Sequence, residues 1–325
     1  MRSPFSARRI ASEPHSLVIH AEGTWLKSIQ EEKFDFFTKL VRHATTQGVT
    51  TRIVAAEGNA SKLLLGQDHI HITVSDLPSY GTGRLHAMPT YVWGFWYLDE
   101  VGVHWNSSLR FARFCASEVD ADKATYFFNG VTGYMLRENV SKFPQEERMK
   151  SPLQPAAAVI YCQETEDSVN RSQYLTTEQM IRTTAATCMD EKVYVKPHPQ
   201  QSKYARKAIM DVAADYQNVT ISDASIHDLT EASRMVVTQN SAAGFEALMQ
   251  KRCVITCGKS DYWHATLTPK READLREALK YGPEALADFA YEKYLYWFLH
   301  QNCLEPAKDD FAKRAWTRIK DKCMI

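Results

Sequence analysis

From residue 157 to residue 256 the chain alternates short apolar runs with amphipathic segments, and that rhythm restricts its fold more than any other feature. Strands are predicted at 157–162, 193–196, 219–221, 235–238 and 254–256, and helices at 177–189, 204–215, 226–232 and 241–250. Alternation with short connections calls for a parallel, doubly wound sheet covered by helices. Such sheets bind ligands beyond the carboxyl ends of their strands. Two junctions of that kind carry chemistry. Lys196-Pro197-His198-Pro199 follows the run Lys192-Val193-Tyr194-Val195, and Asn240-Ser241-Ala242-Ala243-Gly244-Phe245-Glu246-Ala247-Leu248 follows Met235-Val236-Val237-Thr238. Ser241 is placed to cap a helix start, where unpaired N–H groups and the helix dipole bind phosphate. The chain therefore reads as a binder of a phosphorylated small molecule.

Its 325 residues suffice for two domains of ordinary size, each with its own core. The stretch 139–155 is charged and contains Pro144, Pro152 and Pro155, a linker composition. The expected division is an N-terminal α/β domain over 1–150, a second domain over 151–285 and terminal helices over 286–325 that either pack on the second domain or bridge the two. In the first domain strands are expected at 16–20, 52–55, 70–74 and 89–97, with a turn region holding Gly81 and Gly83. A helix is expected at 31–46, where Phe34, Phe37, Leu40, Val41 and Ala44 share one face. The aromatic residues Tyr91, Trp93, Phe95, Trp96, Tyr97 and Trp105 either line a sugar site or form a core with one exposed edge. Helical segments at 284–301 and 307–322 close the chain.

Lysine plus arginine equals aspartate plus glutamate at 39 each, which argues against general nucleic-acid binding and leaves room for a local anion site. Seven scattered cysteines fit a reducing cytosol better than a disulfide framework. Cys253 and Cys257 lack companion ligands and read as small apolar filling, so no metal site is expected. Arg2, Arg8 and Arg9 precede no long apolar segment, so neither export nor membrane spanning is indicated. No dinucleotide fingerprint, Gly-Lys-Ser/Thr phosphate loop or Gly-x-Ser-x-Gly elbow occurs, which argues against dehydrogenase, kinase and hydrolase readings.

Four ordered stretches carry a resemblance: Lys196-Pro197-His198-Pro199, Ser225-Ile226-His227-Asp228-Leu229, 238–248, and Gly258-Lys259-Ser260-Asp261-Tyr262-Trp263-His264-Ala265. With them the chain resembles the bacterial capsule-polysaccharide synthesis proteins, whose members include Kdo transferases using a CMP-activated sugar. A weaker match runs over 94–109, and Gln163 to Asp167 is similar to a polar segment of the family's nucleotide domain. The resemblance implies a GT-B-like arrangement of two facing Rossmann-like domains, with the nucleotide sugar held mainly by the second.

Carried over by position, His198 contacts the CMP phosphate, Asn240 and Ser241 with the adjoining backbone hold the phosphate or cytidine, and Glu246 accepts ribose or base hydrogen bonds. Lys196 either neutralises phosphate or pairs with a nearby acid, and Gln163 and Glu164 are candidates for the sugar site. The family's acidic-Gly-Phe-Arg-Ser motif corresponds here to Val92-Trp93-Gly94-Phe95-Trp96-Tyr97, which lacks the acid and the arginine. A carboxylate that deprotonates the acceptor or attacks the sugar is therefore sought first at Asp167 and Asp76, then at Glu57, Asp99 and Glu164. The implied activity is transfer of an acidic sugar such as Kdo from CMP to a cell-surface polysaccharide or glycolipid, without a cofactor or a metal. A peripheral place at the inner membrane face and capsule-assembly partners belong to the same implication. A noncatalytic carbohydrate-binding or capsule-assembly protein and a nucleotide-sugar epimerase are the alternatives.

Overall fold

The computed structural model describes residues 16–75, 81–164 and 172–323. The chain forms two compact α/β units, each built on a parallel sheet. The first comprises Met1–Met88, Trp96–Val103 and Leu304–Ile325, the second Pro89–Phe95 and His104–Cys303.

In the first unit β1 (Leu17–Ala21), β2 (Thr51–Ala55), β3 (Ile70–Thr73) and β4 (Arg84–His86) lie in the order β2-β1-β3-β4, all parallel. Alternation divides β1 between two faces. Leu17, Ile19 and Ala21 enter a core with Phe36, Phe37 and Leu40 of the helix Asp35–Thr46. Phe311, Ala315, Trp316 and Ile319 of the final helix Phe311–Cys323 complete that core. On the other face His20 is buried, its Nε2 3.0 Å from His71 Nδ1 and its Nδ1 2.8 Å from Ser61 Oγ. Burial, then the neighbouring His71, lowers the His20 pKa to about 4, so this polar chain is neutral at ordinary pH.

Residues 89–97 do not form the expected strand. The chain turns there instead, with Thr90 N–H bonded to the Phe95 carbonyl at 2.8 Å and Gly94 at a φ of 87°, open to glycine without strain. Its aromatic residues divide between the units. Trp96 stacks on Phe36 at 4.8 Å in the first core, whereas Tyr91 stacks on Phe245 at 5.3 Å in the second and Trp93 is exposed. Helices at Gly23–Gln30, Asn59–Leu65, Ala121–Arg137 and Glu272–Ala285 were not foreseen. The expected helix over 284–301 is instead the end of Glu272–Ala285, a break, Tyr291–Leu295 and a π-helical turn Tyr296–Gln301.

The second unit holds β5 (Ala156–Tyr161), β6 (Val193–Lys196), β7 (Val219–Ile221), β8 (Ser233–Thr238) and β9 (Cys253–Thr256) in the order β7-β6-β5-β8-β9. All pairs are parallel, which bears out the alternation of apolar runs and helices. The order runs outward from β5 to β7 and then returns to β8, so the topological switch lies between β5 and β8. Every residue of β5 is buried, as a central strand covered on both faces requires. Small residues at Ala156, Ala157 and Ala158 let the covering helices approach. No helix among the described residues is long and apolar enough to cross a membrane.

The helix Ala242–Ala247 sits against this sheet through Gly244, where an added Cβ would stand 2.7 Å from Thr238 Cγ2 and 3.0 Å from the Tyr262 hydroxyl. Both neighbours are buried, so the strain has little outlet. Gly244→Ala is expected to lower unfolding free energy by about 1–3 kcal/mol through overpacking, despite alanine's better helix propensity. Urea unfolding checks this, and an unchanged midpoint would show that the contact relaxes freely.

Candidate functional site

At the switch, side chains tie the strand ends together. Gln163, two residues beyond β5, accepts from the Asn240 N–H at 2.9 Å and donates through Nε2 to Asn240 Oδ1 at 3.2 Å. The Thr238 hydroxyl donates to the Tyr161 carbonyl at 3.0 Å, and Asn240 Nδ2 donates to the Lys259 carbonyl beyond β9 at 3.0 Å. The loops after β5, β8 and β9 are thus held to one another. Ser241 caps the helix Ala242–Ala247, its Oγ accepting from the Ala243 N–H at 3.2 Å, while the Tyr262 hydroxyl donates to the Ser241 carbonyl at 2.8 Å.

Glu246 lies on that helix and is 2 % exposed. Its Oε1 accepts from the Ser141 hydroxyl at 3.0 Å, and among the described residues its buried Oε2 has no hydrogen-bond partner. Burial pushes its pKa up to about 8, against the opposing pull of the Ser141 hydroxyl, the Lys142 main-chain N–H and the Lys142 charge. Two residues further on, Phe143 meets the His198 ring edge-on at 4.9 Å. Residues 141–143 therefore reach from Glu246 to His198.

His198 follows β6 and is half-buried, which lowers its pKa, with the nearby Lys142 charge acting in the same direction. Its Nδ1 accepts from the Gln200 N–H at 3.2 Å, so the neutral ring carries its proton on Nε2 as a donor. Lys196 at the end of β6 turns inward. Its ammonium donates to the carbonyls of Asp223 and Ala224, both at 2.8 Å, and so fastens the turn after β7.

The stretch with linker composition is bound to the second unit. Ser225 Oγ donates to Asn139 Oδ1 at 2.6 Å, His227 Nε2 contacts the Val140 carbonyl at 2.9 Å, and the Ile226 N–H donates to Gln145 Oε1 at 3.0 Å. Asp228 accepts from Arg148 Nε at 2.5 Å and from the Met149 N–H at 2.9 Å. Arg148 also donates to Glu231 at 2.9 Å. The Ser225-Ile226-His227-Asp228 motif thus clamps residues 139–149 as a strap, and the strap supplies Ser141, Lys142 and Phe143 to the site. Sequence reading missed these three, because their contacts are made across 55 to 105 positions of chain that no local pattern records.

The remaining candidates are dispersed. Asp76 and Asp167 lie outside the described residues. Glu57 is exposed beyond β2, and Asp99 accepts from the N–H groups of Val101 and Gly102 at 2.8 and 3.1 Å, a turn-capping geometry. Glu164 accepts from the Ser202 N–H at 2.7 Å and the Ser202 hydroxyl at 2.8 Å, bonds that hold its pKa below the usual range. A carboxylate not foreseen, Asp261, is fully buried and accepts from the Tyr91 and Ser107 hydroxyls at 2.8 and 2.7 Å. It anchors the segments around 91 and 107 within the second unit.

A family model described as capsule polysaccharide biosynthesis protein matches residues 143–299, a span that includes Phe143, His198, Asn240, Ser241 and Glu246. Among solved structures, the Thermosulfurimonas dismutans KpsC beta Kdo 2,7 transferase is similar at 14% identity and TM-score 0.51, over 81% of this chain and 89% of that one. The beta Kdo 2,4 transferase of the same organism's KpsC is similar at 15% identity and TM-score 0.50, over 82% and 90%. The fold is GT-B-like. Two α/β lobes with parallel sheets are what the likeness establishes, since identities this low speak for architecture alone. No curated protein matches the sequence.

The Glu246 carboxyl makes stability depend on pH with a definite sign. Its folded pKa of about 8 lies above the ordinary value of 4.5, so the folded state binds the extra proton between those limits. Stability from this group is therefore lost as pH rises through that window. Relative to Glu246→Gln, the wild type should lose up to about 1.4 kcal/mol per pH unit there. Parallel urea titrations of the two proteins test it, and a constant difference from pH 5 to 8 would contradict the assignment.

Proposed function

We propose that the chain is a glycosyltransferase that moves an acidic sugar, Kdo or a close relative, from a CMP-activated donor to a cell-surface polysaccharide or glycolipid acceptor. The observation that carries this reading is the joining of Glu246 and His198 by residues 141–143 at the carboxyl edge of the second sheet. The match of residues 143–299 to the capsule family and the fold shared with two Kdo transferases support it.

In this reading the His198 Nε2–H donates to the CMP phosphate, and Ser241 with the main-chain N–H groups beside it holds the same group. The exposed Lys142, whose charge is felt at both His198 and Glu246, adds positive potential there. These groups stabilise negative charge as CMP departs. Glu246 Oε2 has no hydrogen-bond partner among the described residues, a state costly by about 1–3 kcal/mol, and as the protonated oxygen of the carboxyl at neutral pH it would donate to a ribose hydroxyl. Because that oxygen is buried, the ligand reaches it only when residues 141–143 shift. Asp167 and Asp76 remain the proposed carboxylates for deprotonating the acceptor or attacking the sugar, and Gln163 and Glu164 the proposed sugar-side groups.

Calorimetry is expected to show CMP binding more tightly than UMP or AMP, with His198→Ala weakening CMP by about tenfold, the worth of one hydrogen bond to a charged group. Hydrogen exchange should report changed protection of residues 139–149 on CMP addition. Equal weak binding of the three nucleotides, indifferent to His198→Ala, would remove the nucleotide site.

Incubation of CMP-Kdo with lipid-linked and oligosaccharide acceptors, followed by mass spectrometry, should reveal a product heavier by one sugar residue. CMP binding without any such product would favour a noncatalytic carbohydrate-binding or assembly protein. Transfer that survives replacement of both Asp167 and Asp76 would assign the carboxylate elsewhere.

A further inference from the structure

Most strongly held cations of the second unit face carboxylates: Arg148 with Asp228, Arg182 with Glu178 and Asp215, Arg206 with Asp223, Arg234 with Glu191 and Lys251 with Glu292. Like Lys196 and Arg252, which bond to main-chain carbonyls, Lys259 and Arg110 are exceptions. Among the described residues neither meets a carboxylate, and both lie against aromatic rings instead. The Lys259 ammonium stands 5.3 Å from the Trp105 ring centroid, and the Arg110 guanidinium 4.4 Å from that of Phe111. Arg110 Nη1 donates to the Trp105 carbonyl at 3.3 Å, while its Nε is buried without a partner. Trp263 Nε1 donates to the Arg110 carbonyl at 2.9 Å. Two cations without counter-charge among the described residues thus gather at Trp105, Lys259 against its half-buried indole and Arg110 at its main-chain carbonyl.

The placement of this group is set by the backbone. Lys259 donates its N–H to the Ser172 carbonyl at 2.6 Å, and its own carbonyl accepts from Asn240. At Gly258 an added Cβ would lie 3.0 Å from the Gln239 carbonyl oxygen and 3.1 Å from that of Ser172, so the turn after β9 is pressed onto the end of β8. Trp105 follows His104, which holds the left-handed conformation at a φ of 52°, a strained arrangement that places the indole. Phe111 and Trp263 leave apolar surface in water, at 69% and 46% exposure.

We propose that Lys259, Arg110 and Trp105 form a subsite for an acidic saccharide, the ring face of the sugar on the indole and its anionic group on the two cations. Flat aromatic surface suits the apolar face of a sugar, and a guanidinium with an ammonium suits a carboxylate or phosphate. The subsite deepens the transfer reading by naming the substrate class next to the nucleotide loops, and it rests on that reading only for which substrate fills it. The anion is either a sugar carboxylate or a sugar phosphate, two sources of the same chemistry.

Calorimetry at low salt with tetragalacturonate and with neutral cellotetraose tests the site in the full chain. Tetragalacturonate should bind at least tenfold more tightly, and added salt should weaken it. Lys259→Met should lower that affinity at least fivefold and Lys259→Glu further, with Arg110→Gln as a second, independent variant. Equal affinity for the neutral and acidic probes, or undiminished acidic binding by Lys259→Glu, would overturn the proposal. Glucuronate and glucose 6-phosphate as competitors assign the anion, the stronger competitor marking the source. CMP titrated in the same series separates the two readings. Acidic-saccharide binding without CMP binding sinks the nucleotide site and leaves this subsite standing, and CMP binding without saccharide binding does the reverse.

Discussion

β5 has a hydrogen-bonded neighbour on each side and no exposed residue, so nothing along its length is available to a ligand. Chemistry in the second unit is confined to the loops beyond the strands. The reversal of strand order beside β5 separates the helices there and leaves the carboxyl ends of β5 and β8 open, and Gln163, Thr238 and Asn240 lock those ends in register. Every other feature of the site hangs from this frame: the Ser241 cap, the Gly258 turn and the strap laid over Glu246.

Electrostatics gives the strap its interest. A carboxyl group with one oxygen satisfied and the other buried alone is unfavourable in its charged form, and its raised pKa expresses that cost. His198 is neutral for a related reason, being desolvated beside Lys142. The charge of Lys142 acts on both groups. Such an arrangement favours a ligand that brings its own negative charge and its own hydrogen-bond acceptors. Arg148 and Asp228, 2.5 Å apart, fasten the far end of the strap.

The first unit uses polar burial differently. His20, His71 and Ser61 bond to one another in the face of the sheet opposite Phe36 and Phe37, and the neutral imidazoles satisfy that network without charge. Burial disfavours a charged imidazole there, and the neighbouring His71 ring 3.0 Å away adds to the effect, which is why the His20 pKa falls. The closing helix belongs to this unit, where Phe311 meets Phe36 at 5.3 Å, although the helical segments just before it belong to the second.

Periodicity made the second sheet legible in advance: 193–196, 219–221 and 226–232 fall where the apolar runs place them, most others shift by one or two residues at their ends, and the helix expected over 241–250 is α-helical only over Ala242–Ala247 before a 3-10 turn at Leu248–Gln250. Local spacing sufficed there because a parallel strand buried on both faces is a continuous apolar run, and its helix is a stripe of period 3.6. The positions of His198 and Ser241 followed from the same logic, since both adjoin strand ends. The turn at 89–97 was not legible, because aromatic side chains that enter two different cores read, along the sequence, as one strand. Nor did composition reveal the strap. Charge and proline mark 139–155 as linker, yet Asn139, Val140 and Arg148 find partners 80 to 87 residues away. Among the described residues, the unpaired state of Glu246 Oε2, the tautomer of His198 and the placement of Lys259 and Arg110 away from any carboxylate are facts of three-dimensional proximity. Sequence alone determined which elements form and which ends carry reactive side chains, because those depend on neighbours along the chain. Only the tertiary structure decided what each of those groups meets, because desolvation and hydrogen bonding depend on distances between residues that the chain keeps far apart.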